Sequence, residues 1–108
     1  MAEMLKRRLD VDEDQALVVD HAMVDVKEAW QELSISMKDA REEASDALRG
    51  EAVDQAALDA LFARTDEELA RTRRHVVSAV KQVHAVLDDE QRETLADLMV
   101  DLHAPGRW

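Results

Sequence analysis

Apolar residues recur from Val19 to Ala47 at alternating steps of four and three, through Met23, Val26, Trp30, Leu33, Met37, Ala40 and Ala44. Such steps keep one side of an α-helix apolar over its whole length and predict a partner helix along that seam. Just ahead of the seam, Val11-Asp12-Glu13-Asp14-Gln15 has the form of a helix start. Asp12 is placed to accept a hydrogen bond from a first-turn amide, Gln15 stands at the capping-box position, and Val11 can staple onto Ala16. Acidic residues in that first turn also suit the positive end of the helix dipole.

The long helix is expected to stop at Leu48-Arg49, with Gly50 as a left-handed cap, because Gly50 is the one strong breaker before Pro105 and Gly106. A second helix should follow after a short turn, capped by Asp54 with Val53 stapling to Leu58. Its seam reads Leu58, Phe62, Thr65, Leu69, Thr72, Val76, Val80 or Ala79, Val83 and Leu87. A turn this short forces the two helices antiparallel. Leu87-Asp88-Asp89-Glu90-Gln91 then repeats the first cap and opens a short helix with Leu95, Leu98, Met99 and Leu102 on its apolar side. The predicted architecture is all-α: a long antiparallel helical hairpin with short N-terminal and C-terminal helices, assembled as a homodimeric helical bundle. Within one helical domain, 1–108, the parts are a basic N-terminal arm at 1–10, long helices at 12–49 and 54–87, a short helix at 88–103 and a tail at 104–108. Trp108 in that tail is either a packing anchor or a loose end. The dimer is read from Leu17, Val18, Val24 and Ile35, which lie off the first seam and exceed what one hairpin covers; a client-binding surface is the alternative.

Composition narrows the functions. With 25 acidic and 14 basic residues the chain carries a formal charge of −11, the opposite of the basic face that nucleic-acid binders present. No nucleic-acid partner is expected; the charge fits a solvated surface, a cationic partner or a metal ion. There is no cysteine, hence no disulfide and no thiolate metal site. No apolar stretch is long enough to span a bilayer. Taken literally, Met1-Ala2-Glu3 begins a cytosolic protein, and an exported protein without its export segment would look the same.

Candidate chemistry is sparse. No nucleophile has a plausible base, so the chain reads as non-enzymatic. Metal ligation is the chemistry left. His21 and Asp25 are four apart on one helix, as are Met99 and His103. An antiparallel hairpin brings His84 towards His21, so His21, Asp25, His84 and one of Met99 or His103 are expected to converge where the short helix begins. Imidazole, carboxylate and thioether suit Ni, Co, Cu or Zn. His75, preceded by Arg73 and Arg74, looks less like a ligand.

The two cap repeats resemble the paired Leu-Thr-x-x-Gln signatures of the Spy/CpxP group of periplasmic stress proteins. The run from Ala47-Leu48-Arg49-Gly50-Glu51 through Ala57-Leu58 to Phe62-Ala63-Arg64 is similar to the heavy-metal sensor, or metal-resistance, branch of that group. So is Val86-Leu87-Asp88-Asp89-Glu90-Gln91-Arg92 leading into Leu95-Ala96-Asp97-Leu98. The resemblance covers about residues 4 to 103. It implies a dimerising helical hairpin in the periplasm, or anchored to the inner membrane facing it, that senses metals for a regulatory membrane protein or holds client proteins. His21 matches the position of a first-helix ligand in the nickel- and cobalt-sensing relatives. Asp12 and Asp88 stand where those signatures carry Thr, a change between two good caps. Chaperone members present a basic concave face, unlike this acidic chain.

Overall fold

The computed structural model describes residues 1–102; His103 and Trp108 lie outside the described residues. Four helices follow in order: α1 Ala2–Leu9, α2 Glu13–Ala47, α3 Gln55–Val86 and α4 Asp89–Leu102. The fold is all-α, and α2 and α3 pack against each other as an antiparallel hairpin. Packing divides the described residues into two compact units, one formed by 1–24 with 78–102, the other by Asp25–Val77.

In the Asp25–Val77 unit the core is built from Ala29, Leu33, Ala40 and Ala47 of α2 against Leu61 and Thr72 of α3. This seam differs by one position from the expected one at two places. Ala29 is buried where Trp30 was expected, and Trp30 stays 53% exposed. Leu61 is buried where Phe62 was expected, and Phe62 stays 58% exposed. Both registers satisfy a heptad, and size decides between them: alanine lets the backbones approach, whereas an indole in the seam would hold them apart. Thr72 is the one polar residue of this core, and its hydroxyl donates to the Glu68 carbonyl one turn back, at 3.0 Å. Polar pairs bridge the two helices along one edge of the seam, Ser36 with Glu68, Arg64 with Glu43, and Arg71 with Glu32 at 3.8 Å.

The turn corrects the reading of Gly50. The backbone of α2 tightens at its end, with Leu48 N–H donating to Ser45 O and Arg49 N–H to Asp46 O. Asp54 N–H then donates to Ala47 O at 3.0 Å. The carbonyls left over at a helix end are thereby satisfied without a left-handed residue, and Gly50 adopts no positive φ. A Cβ placed there would meet Ala52 O at 3.6 Å, an ordinary contact. Asp54 caps α3 as expected, accepting from Ala57 N–H at 3.1 Å, but Val53 is 58% exposed and makes a poor staple.

The other unit buries Leu9 of α1, Val19 and Ala22 of α2, Ala79 and Val83 of α3, Leu87 between helices, and Leu98 of α4. The seam again prefers the small alternatives, Ala22 over Met23 and Ala79 over Val80. Among the described residues, Asp10 adopts the left-handed conformation, at φ 52°. It ends α1 in a Schellman arrangement: Asp10 N–H donates to Arg7 O and Val11 N–H to Lys6 O. Asp is among the few side chains that tolerate this conformation.

Candidate functional site

The features with the most specific geometry lie where α2 and α4 begin. At each start the capping box forms as its sequence predicts. Gln15 N–H donates to Asp12 Oδ1 at 2.8 Å, and Asp12 N–H donates back to Gln15 Oε1 at 3.0 Å. Gln91 N–H donates to Asp88 Oδ1 at 2.8 Å, and Asp88 N–H to Gln91 Oε1 at 3.0 Å. Each glutamine oxygen is thus engaged locally, leaving the two amide nitrogens free to reach outward.

They reach each other. Gln15 Nε2 lies 2.8 Å from Gln91 Oε1, and Gln91 Nε2 lies 3.1 Å from Gln15 Oε1. Each amide also donates to a backbone carbonyl at the end of a distant helix. Gln15 Nε2 reaches Val86 O, the last residue of α3, at 2.7 Å. Gln91 Nε2 reaches Leu9 O and Asp10 O at the end of α1, at 3.2 and 3.4 Å. Two helix starts and two helix ends are therefore fastened by one pair of side chains. Arg92 adds a further tie, donating from Nε to His84 O at 3.2 Å.

The geometry accounts for a motif built around a capping residue and a glutamine three positions later. A family model described as the LTXXQ motif family protein matches residues 1–99. The chain belongs to the LTXXQ family. This is the Spy/CpxP-like group of periplasmic, metal-resistance-associated helical proteins, a family not known for enzymes. Comparison with curated proteins and with solved structures gives no significant match. No helix among the described residues is long and apolar enough to cross a membrane.

α1 is held to the same region of this LTXXQ protein by Lys6, whose Nζ lies 2.8 Å from Glu3 and 2.9 Å from Asp20. The Glu3 and Asp20 carboxylates hold the Lys6 ammonium above its ordinary pKa. This contribution is complete below the unfolded pKa of lysine and fades only as pH rises through the higher folded value. No local pattern in the basic arm at 1–10 points to this tie, which depends on a contact fourteen residues away.

The candidate metal ligands are less assembled than expected. His21 and His84 are exposed, Asp25 is half-buried, and Met99 is 47% exposed. His21 and Asp25 do share one side of α2 through their four-residue spacing. Among the described residues, no group of three or more His, Asp or Glu side chains comes together to hold a metal ion. His103 lies outside the described residues. His75 lines a small groove with Asp25, Glu28, Ala29, Glu32 and Arg71. Among the described residues, His21 and Asp25 thus offer a two-donor start to a metal site.

A second groove was not anticipated. It has a volume of about 400 Å³ and is lined by Trp30, Leu33, Leu69, Thr72, Arg73, Val76 and Val77. Its apolar side chains follow from the seam register: the large residues displaced from the core stand along its edge.

Proposed function

We propose that this LTXXQ protein is a non-enzymatic, metal-responsive binding domain of the periplasm, free or anchored to the inner membrane, which acts as a homodimer. The family match over residues 1–99 carries this reading. His21, Asp25, His84, Met99 and His103 are the ligand candidates for Ni, Co, Cu or Zn, a donor set of imidazole, carboxylate and thioether suited to those ions. Because three His, Asp or Glu donors do not gather among the described residues, a complete site has to draw on Met99, on His103 or on a second copy. Calorimetric titration with Ni, Co, Cu and Zn tests this directly. Binding tighter than about millimolar, weakened at least ten-fold by His21→Ala, is expected; heat signals no larger than buffer for all four metals refute it.

A second reading, a chaperone or adaptor for unfolded or regulatory proteins, is favoured by the outer side of α2, where Leu17 is 69%, Val24 53% and Ile35 65% exposed. Suppression of client aggregation that is lost in Val24→Asp or Ile35→Asp would establish it in place of metal sensing. A purely structural dimerisation module is the reading left if both assays are silent.

A further inference from the structure

Carboxylates are spread along most of this chain, 25 acidic residues against 14 basic ones. One stretch of the Asp25–Val77 unit escapes them. On α3 the residues three and four places from Arg73 are Leu69, Ala70, Val76 and Val77; on α2 those around Trp30 are Val26, Lys27, Leu33 and Ser34. Residues at these spacings are the neighbours on a helix surface, so neither Arg73 nor Trp30 has an acid beside it on its own helix. Among the described residues, Arg73 is in no ion pair. Arg64 and Arg71 of the same helix, on the other edge of the seam, are bound to Glu43 and Glu32.

The groove of about 400 Å³ opens at this stretch. Small-molecule clefts span about 300–1,000 Å³ and combine apolar walls with a few placed polar groups. Leu33 and Thr72 are buried at the base of the groove. The Thr72 hydroxyl is taken up by Glu68 O, and no buried side-chain nitrogen or oxygen among the described residues lacks a partner. The base therefore has no side-chain hydrogen bond to offer. Trp30, Leu69 and Val77 stand half-exposed along the walls, and Arg73 is the one charged side chain among the described residues lining them.

The parts define what fits. An unbranched alkyl chain suits a base that neither donates nor accepts, and gains from each methylene withdrawn from water. A peptide backbone laid there would find no partners for its amides, and a metal ion would find no carboxylate. A guanidinium matches a carboxylate through two parallel hydrogen bonds. We infer that this groove binds a single-chain fatty acid, its carboxylate on Arg73 and its alkyl chain over Leu33 and Thr72, between Trp30 and Val76. Lys27, one turn ahead of Trp30 and likewise in no ion pair among the described residues, adds to the local positive field that admits an anion to a chain of charge −11. The site goes beyond the metal-binding reading and uses none of its ligands.

Dodecanoate, titrated below its micelle concentration into the full chain without added metal, tests the assignment. In a Trp108→Phe background Trp30 is the only indole. Its emission should move to shorter wavelength and saturate, with a dissociation constant in the micromolar range. Arg73→Gln should weaken dodecanoate binding about ten-fold or more, yet change dodecanol binding by less than about two-fold, because only the carboxylate meets the guanidinium. Val77→Glu, at an exposed wall position, should weaken both ligands without loss of helical circular dichroism. The absence of a saturable shift overturns the site. Equal weakening of both ligands by Arg73→Gln overturns the carboxylate contact and with it the fatty acid. An emission shift that follows dimerisation in parallel sedimentation runs, rather than ligand concentration, gives the groove to a second copy and overturns the assignment. Displacement of dodecanoate by an unfolded polypeptide that binds more tightly gives it to protein clients and does the same. Because no metal is present, failure here is distinguishable from failure of metal binding.

Discussion

Replacing Gln91 by alanine is expected to destabilise the chain by about 2–4 kcal/mol, far more than the loss of an ordinary helix cap. The box bond that the substitution removes, Asp88 N–H to Gln91 Oε1, contributes about 0.5–1.5 kcal/mol. Gln91→Ala also removes the amide that donates to Leu9 O and Asp10 O and that bonds Gln15. Leu9 is buried, at 3% exposure, and a carbonyl left unpaired in such surroundings costs about 1–3 kcal/mol. Gln15→Ala should cost less, because the carbonyl that loses its donor, Val86 O, is open to water. Because the two amides share bonds, the double variant should cost less than the sum of the singles, with a coupling of about 0.5–3 kcal/mol. Gln91→Glu discriminates capping from clasping. A carboxylate can still accept from Asp88 N–H, yet at neutral pH it has no proton to give to Leu9 O. Urea melts followed by circular dichroism should place Gln91→Glu near Gln91→Ala. A Glu variant as stable as wild type would show that the outward bonds contribute nothing.

This clasp marks the limit of what the sequence discloses. Asp12 to Gln15 and Asp88 to Gln91 are readable as helix starts because a capping box is a contact over three residues, complete in its own segment. That the leftover amides meet, across 76 residues, is set by how four helices pack, and no local pattern carries it. The same divide separates Asp54, whose cap was legible, from Asp10, whose left-handed conformation depends on α1 ending against its neighbours. Gly50 misled in the opposite direction: a glycine at a helix end suggests a left-handed cap, but the tightened last turn and Asp54 N–H satisfy the carbonyls instead. For the metal candidates, spacing along one helix places His21 and Asp25 on a common side. It does not fix how α2 and α3 rotate about their axes, and therefore not whether His84 turns toward them.

Helix rotation also underlies the other large effect, a contrast between two adjacent residues. Leu61→Ala should destabilise the chain by about 2–5 kcal/mol, whereas Phe62→Ala, although it removes more atoms, should cost less than about 1 kcal/mol at concentrations where the chain is monomeric. Leu61 is 3% exposed and Phe62 58% exposed. A truncated Leu61 leaves a cavity against α2, since the neighbouring seam residues are alanines that cannot extend to fill it. A truncated Phe62 leaves only water. Hydrophobicity alone favours the aromatic residue for the core, and a seam through Trp30 and Phe62 matches the heptad as well as one through Ala29 and Leu61. The choice is made by backbone distance: small residues let α2 and α3 close up, and the helices then turn so that their largest apolar side chains stand along the edge. Urea midpoints of the two variants, measured side by side at low protein concentration, decide the register. If Phe62→Ala proves as costly as Leu61→Ala there, Phe62 lies in the seam and the groove beside Trp30 is not an open surface.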